Sequence, residues 1–165
     1  RNFDNTEKEN VAEVVAIGAI KYSILRQAIG GNIVFDFNKS ISFEGDSGPY
    51  LQYTYTRAHS VLAKSEALYS KFETKRPENF KITEIEKYLY RFLGIVEKAG
   101  REFAPHLIVT YLIELASLFN SFYAKEKIID ENDPASSYKI ALTSAVVHTL
   151  QNGLRLLGIK TLEKM

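Results

Sequence analysis

The stretch PHLIVTYLIELASLFNSFYAK, residues 105–125, is the strongest indication of the fold class in the sequence. Its apolar side chains recur at helical spacing to about Lys125, at Leu107, Tyr111, Leu115, Leu118, Phe119 and Phe122. Pro105 stands just before the run, where proline is common at the start of a helix. An apolar stripe this wide must be buried, so the stretch predicts a helix packed among others.

A second and longer helix is predicted on the C-terminal side. Asp133-Pro134 resembles an N-cap followed by proline at the first helical position. Its apolar stripe continues to Gly158 and includes Ile140, Ala145, Leu150 and Leu154. We expect this helix to be structural.

Three more helices are predicted on the N-terminal side, over residues 11–29, 50–68 and 83–100. The first ends at the Gly30-Gly31 pair, and the third begins with a capping box made by Thr83 and Glu86. Residues 32–49 read as a short extended segment and a loop, and residues 70–80 as a charged, solvated connection. With no alternation of strands and helices, the chain is predicted to be an all-α bundle of about five helices.

The amino-acid composition excludes several kinds of site and of partner. The 165 residues are 45% apolar and contain no cysteine, which excludes a disulfide framework and a thiolate metal site. The net charge of +1 gives no global attraction for nucleic acid, so any RNA contact must be local. The charge does vary along the chain, since the tail after Gln151 carries Arg155, Lys160 and Lys164 against Glu163.

The usual catalytic patterns are missing. His59, His106 and His148 are far apart in sequence, and the glycines match neither a phosphate loop nor a dinucleotide fingerprint. We therefore expect no self-contained catalysis and no bound cofactor in this chain.

Three stretches of the sequence nevertheless resemble arginyl-tRNA synthetases. The first runs from Phe35 to Tyr53 and contains Gly45-Asp46-Ser47-Gly48-Pro49-Tyr50. The second ends in Phe119-Asn120-Ser121-Phe122-Tyr123, and the third runs from Asn152-Gly153-Leu154 to Met165. Val15 to Tyr22 looks like the segment that follows the catalytic signatures of these enzymes. Those signatures themselves are absent, which predicts a C-terminal fragment. Lys164 stands where arginine is usual in the family.

The resemblance implies a division of the chain. Residues 1–49 would be the end of the catalytic region and a connecting segment, and residues 50–165 a helical anticodon-binding domain. Its partners would be the anticodon loop of arginine tRNA and the upstream catalytic domain, with ATP and Mg²⁺ used by the latter. Every arginine anticodon has a central C, which the domain should sense. A cytoplasmic monomer with no membrane contact is expected.

Seven residues are candidate RNA contacts, some because they match residues of the family and the others because of their position or side-chain chemistry. Unpaired bases are read by aromatic stacking and by bonds to base edges, and phosphates by cations. The candidates are Tyr50, Tyr53, Tyr123, Met165, Arg57, Asn120 and Lys127. A plainer interpretation competes with each, because tyrosines at helical spacing are often core residues and exposed arginines often ordinary surface. A helical protein-interaction module without RNA binding is the alternative function.

Overall fold

The computed structural model describes residues 3–33, 35–66, 77–78 and 81–165. Within those residues the chain forms seven helical segments and no strand, which confirms the predicted all-α class. The segments are α1 (Asn5–Leu25), α2 (Phe37–Ser40), α3 (Gly48–Glu66), α4 (Glu84–Tyr90), α5 (Phe92–Arg101), α6 (His106–Lys125) and α7 (Ser136–Leu156). The connection predicted over residues 70–80 lies almost entirely outside the described residues.

Side chains at the helix ends explain why the helices begin and end where they do. The predicted capping box of Thr83 and Glu86 starts α4, and Asp4 and Glu7 make the same reciprocal bonds at the start of α1. At the other end of the chain, α7 ends in a Schellman motif. Gly158 adopts a φ of 67°, and the amide of Ile159 donates to Leu154 O at 2.9 Å.

The N-terminal third differs from the prediction at several points. The first helix begins at Asn5 rather than at residue 11. The first helix ends at Leu25 rather than at Gly30, and Ile29 is 76% exposed. A longer helix would have had nothing to pack against there. The segment expected to be extended instead holds the four-residue α2, which begins where Asp36 Oδ1 accepts the amide N–H of Lys39 at 3.1 Å.

Two further boundaries differ. The single helix expected over residues 83–100 is divided at Arg91, whose amide bonds to Tyr88 O, three residues back, at 3.0 Å. The last helix begins at Ser136 because Asp133 Oδ1 caps the Ala135 amide in a separate turn. Ala145, expected on the buried stripe, is exposed.

The core is built around α6. Its buried side chains include Leu112, Leu115, Ala116 and Phe119, all 0% exposed, and they meet side chains from α3, α4, α5 and α7. By length and composition alone α6 would also pass as a membrane-spanning helix. Its burial in the bundle accounts for its apolar character.

The helix α3 is unusual in burying polar side chains as well as apolar ones. Gln52 and Thr54 are 0% exposed and Thr56 is 4% exposed. Gln52 Nε2 donates to Lys160 O at 2.8 Å, and the Thr56 hydroxyl donates to Leu162 O at 2.6 Å. These two bonds hold the C-terminal tail, residues 159–165, along α3.

The helices α1 and α3 approach closely at two glycines. A Cβ on Gly48 would lie 2.6 Å from Gly18 O, and a Cβ on Gly18 would lie 2.8 Å from the end of the buried Gln52 side chain. The absence of side chains at both positions is therefore what lets the first helix pack on the third.

We predict that Gly48→Ala lowers the free energy of unfolding by about 1–3 kcal/mol, because the new methyl group meets backbone that cannot move aside cheaply. Gly94→Ala is the matched control, since Gly94 is exposed in α5 and has open space around it. That change should stabilise the helix by up to about 1 kcal/mol. Chemical denaturation of both variants measures the difference, and equal effects would show that α1 and α3 are not closely packed.

We also predict that Leu150→Ala costs about 2–5 kcal/mol through the cavity it leaves, since Leu150 is 0% exposed in α7. Leu156→Ala is the control, because Leu156 belongs to the same helix and is 54% exposed. Thermal melts that moved equally for the two variants would contradict the assignment of the buried face.

Candidate nucleic-acid interface

Two adjoining hollows form one groove between the start of α1, the middle of α3 and the end of the tail. Their volumes are about 660 Å³ and 480 Å³, within the usual range of ligand sites. The residues that line both are Phe3, Tyr53, Arg57 and Met165. We call this combined surface the aromatic groove.

Arg57 lies between two tyrosine rings in the aromatic groove. Its guanidinium carbon is 4.7 Å from the centre of the Tyr53 ring and 5.3 Å from that of Tyr123. Both distances allow a cation–π interaction. One charged group therefore joins two rings that are 70 residues apart in sequence.

Asn120 fixes the position of Arg57. Its Oδ1 accepts from Arg57 Nη1 at 2.6 Å, and its Nδ2 donates to Tyr50 Oη and Thr54 Oγ1, each at 3.0 Å. Both N–H donors and the oxygen of the amide serve this network, which links α6 to α3. The guanidinium is thus held in one orientation before any ligand binds.

The two rings beside Arg57 are accessible. Tyr53 is 37% exposed and Tyr123 is 43% exposed, although each also touches a neighbouring ring. Phe43 meets Tyr53 edge-on at 6.1 Å, and Phe119 lies 6.2 Å from Tyr123. Each tyrosine is therefore supported on one side and open on another, as stacking on a base requires.

The tail brings Met165 to the aromatic groove. Lys160 and Leu162 bond to Gln52 and Thr56, which are one helical turn apart on α3. The tail therefore advances nearly as far per residue as an extended chain does, parallel to α3. Met165, three residues further along the tail, lines both hollows together with Arg57.

The seven predicted contact residues fall into three groups. Four line the aromatic groove: Tyr53, Arg57, Tyr123 and Met165. Tyr50 and Asn120 lie behind it, in the hydrogen-bond network that holds Arg57. Lys127 is apart from both groups, beyond the end of α6, where its amine pairs with Asp130 at 3.2 Å.

Sequence reasoning missed several residues of the aromatic groove. Phe3, Lys8, Val11 and Phe43 line the first hollow, and Lys64 lines the second. Phe43 belongs to the stretch from Phe35 to Tyr53 that resembles the family, so the resemblance could have identified it as a candidate. For Phe3 and Lys8 the sequence offers no signal, because nothing local distinguishes them from other residues near a helix start.

Residues 51–165 match the DALR anticodon binding domain. This match covers most of the chain, including α3 to α7 and the tail. The chain belongs to the DALR anticodon-binding family. The matched region begins in the first turn of α3, so α1, with its part of the aromatic groove, precedes it. The predicted domain boundary between residues 49 and 50 stays a prediction.

Relatives of the whole chain agree with this family. The chain is 38% identical to an arginine-tRNA ligase of Thermococcus kodakarensis, over 99% of its own length and 27% of the relative's. It is 39% identical to an arginine-tRNA ligase of Streptococcus suis, over 100% of its length and 29% of the relative's. The chain thus spans less than a third of the relatives it matches.

Solved structures show the same fold. The arginyl-tRNA synthetase of Thermus thermophilus superposes with a TM-score of 0.81 at 32% identity, covering 99% of this chain and 28% of that one. The enzyme from Plasmodium falciparum gives a TM-score of 0.79 at 23% identity and covers 98% of this chain. The resemblance to arginyl-tRNA synthetases noted in the sequence is thereby confirmed.

We predict that Asn120→Ala lowers the free energy of unfolding by about 1–3 kcal/mol, because it removes the bonds to Arg57, Tyr50 and Thr54 from a half-buried network. Ser121→Ala is the control, since the neighbouring Ser121 is exposed and should change stability by less than about 0.5 kcal/mol. If both variants unfolded at the same denaturant concentration, the network would not contribute to stability.

Proposed function

We propose that this chain recognises the anticodon loop of arginine tRNA as the C-terminal part of an arginine-tRNA ligase. The observation that carries the proposal is the aromatic groove. There Arg57 is held between the partly exposed rings of Tyr53 and Tyr123, and Met165 lies beside them. Exposed rings and a fixed cation are what a protein needs to bind unpaired bases and the phosphates between them.

The groups in the aromatic groove have separate roles in this proposal. An unstacked base lies against Tyr123 or Tyr53, while Met165 and Phe3 exclude water from its other side. Arg57 offers its remaining N–H groups to the base edge or to a phosphate. Because Asn120 already orients the guanidinium, little side-chain entropy is lost when RNA binds.

The proposal assigns aminoacylation, with its ATP and Mg²⁺, to a catalytic domain that precedes this chain in the enzyme. An apolar surface on α1 supports a contact with such a domain. Ile17, Ile20 and Ile24 are 43%, 49% and 47% exposed and share one side of the helix. The proposal further includes a cytoplasmic, monomeric enzyme.

The direct test is the binding of an arginine-tRNA anticodon stem-loop at several salt concentrations. We expect binding that weakens as salt rises, because phosphate contacts release counterions. Replacing the central C of the anticodon should weaken it further. No binding at low salt would favour the alternative, a helical protein-interaction module.

We predict that Tyr123→Ala weakens stem-loop binding by about 1–3 kcal/mol, whereas Tyr123→Phe keeps most of the affinity, because stacking needs only the ring. The exposure of Tyr123 lets the fold survive both changes. Tyr90→Ala is the matched control, since Tyr90 is 90% exposed on α4 and does not line the aromatic groove. Affinity and melting temperature are measured on the same samples, and intact affinity in a folded Tyr123→Ala variant would remove this residue from the site.

A further inference from the structure

A second groove, of about 510 Å³, lies where α7 ends and the tail begins. Its polar lining consists of Gln151, Asn152, Arg155, Lys160 and Thr161. No carboxylate side chain is among the residues that line it. We call it the basic groove. It shares no lining residue with the aromatic groove.

The cations of the basic groove are uncompensated. Arg155 and Lys160 are both exposed, and neither forms an ion pair with any residue that the structure describes. A third cation is adjacent, because Lys21 donates to the backbone oxygen of Gly158. Glu163, the acidic side chain of the tail, does not line the basic groove. The basic groove therefore concentrates positive charge in a chain whose net charge is only +1.

The walls of the basic groove are held in place. Gln52 fixes Lys160 through its backbone oxygen, which leaves the lysine side chain free to face solvent. Gln151 Nε2 lies 3.4 Å from the hydroxyl of the buried Tyr55, and the Schellman motif fixes the turn at Gly158. The carbonyls at the end of α7 are thus partly satisfied by the turn, which lessens their repulsion of an anion.

The two grooves lie at opposite ends of the same short segment. Lys160 lines the basic groove and Met165 lines the aromatic groove, and the tail between them follows α3 in a nearly extended course to Leu162 and bends at Glu163, so the two residues are separated by at most the length of five extended residues. Five residues of extended chain span about 16 Å. A nucleic-acid strand covers that distance in a few nucleotides, so one RNA molecule reaches both grooves.

We propose that the basic groove, through Arg155 and Lys160, binds backbone phosphates of the same RNA whose unpaired bases occupy the aromatic groove. This inference rests on the proposed function and adds to it a second, sequence-independent contact. Its ligand chemistry is that of phosphate oxygens. Two exposed cations that form no ion pair with the described residues, in a groove that no carboxylate lines, are suited to bind phosphate oxygens, and they carry no information about the bases.

The first experiment compares Arg155→Gln, Lys160→Gln and the double variant with the unaltered chain in stem-loop binding. For each cation removed, the slope of log affinity against log salt should become shallower by about 0.7–0.9. A fourfold rise in salt then costs about threefold less affinity per cation removed. The ratio of affinities for the central-C stem-loop and a substituted one should not change. Lys98→Gln is the control, since Lys98 is exposed on α5 and lines neither groove.

A second experiment identifies the phosphates. Stem-loops in which one phosphate at a time is replaced by a neutral methylphosphonate are bound to the unaltered chain and to the double variant. We expect one or two positions at which the replacement weakens binding to the unaltered chain and has no effect on the double variant. Titration of inorganic phosphate without RNA serves to separate this contact from a site for free phosphate.

The outcomes separate the two proposals. A stem-loop that binds the unaltered chain, with the same salt slope in the double variant, would overturn the basic groove and leave the aromatic groove intact. So would a methylphosphonate scan with no position at which replacement weakens binding to the unaltered chain but not to the double variant, or free phosphate that binds the basic groove while the RNA slope stays unchanged. A stem-loop that does not bind the unaltered chain would overturn both proposals.

Discussion

The bond from Gln52 to the backbone oxygen of Lys160 is the constraint on which the arrangement of both grooves depends. A buried N–H group that makes no hydrogen bond costs about 1–3 kcal/mol, so the Nε2 group of the fully buried Gln52 needs a partner, whereas its Oε1 accepts no hydrogen bond from the described residues. The C-terminal tail is that partner, with Val14 O of α1 as a second acceptor. Thr56 repeats the arrangement one turn later with Leu162. The buried polar residues Gln52 and Thr56 therefore fix the position of the C-terminal tail along α3.

The charge of Arg57 is likewise held in place by specific neighbouring side chains. A chain with a net charge of +1 cannot attract RNA as a whole, and the structure instead places single cations at defined positions. Asn120 and two tyrosine rings hold the guanidinium of Arg57, while the Gln52 side chain of α3 holds Lys160 at the basic groove through the backbone oxygen of Lys160. A net charge near zero is therefore compatible with the proposed RNA contacts, because these depend on single cations at fixed positions.

The fold was predictable from sequence where one face of a helix is clearly apolar and its ends are marked by capping residues. This holds for α6, for the capping box at Thr83 and for the end of α7 at Gly158. It fails for the face of α1, which carries apolar residues on two sides. The buried side carries Gly18, Ala19 and Tyr22, of which Gly18 permits the close approach to α3, and the isoleucines are outside. Periodicity alone cannot choose between two apolar faces.

The site was predictable only in part, for a related reason. Tyr53 and Tyr123 are on helices whose phase is clear, and the family strings drew attention to both. Their connection through Arg57 and Asn120 is a tertiary contact that no local pattern encodes. Lys127 was considered by its distance along the helix from Tyr123, but α6 ends at Lys125, so the helical spacing does not continue to it.

The helix α1 links the aromatic groove to the apolar surface. Lys8, Val11 and Val15 line the aromatic groove, whereas Ile17, Ile20 and Ile24 point to the opposite side of the same helix. A ligand in the aromatic groove that favours one position of α1 changes the affinity for a partner on the isoleucines only if that partner also favours one position of α1. Where Gly48 packs on the backbone of Gly18, no side chain lies between the two helices. A shift of α1 cannot be absorbed there by rotamer changes. The first helix therefore supplies part of the lining of the aromatic groove, even though the family match begins only in α3.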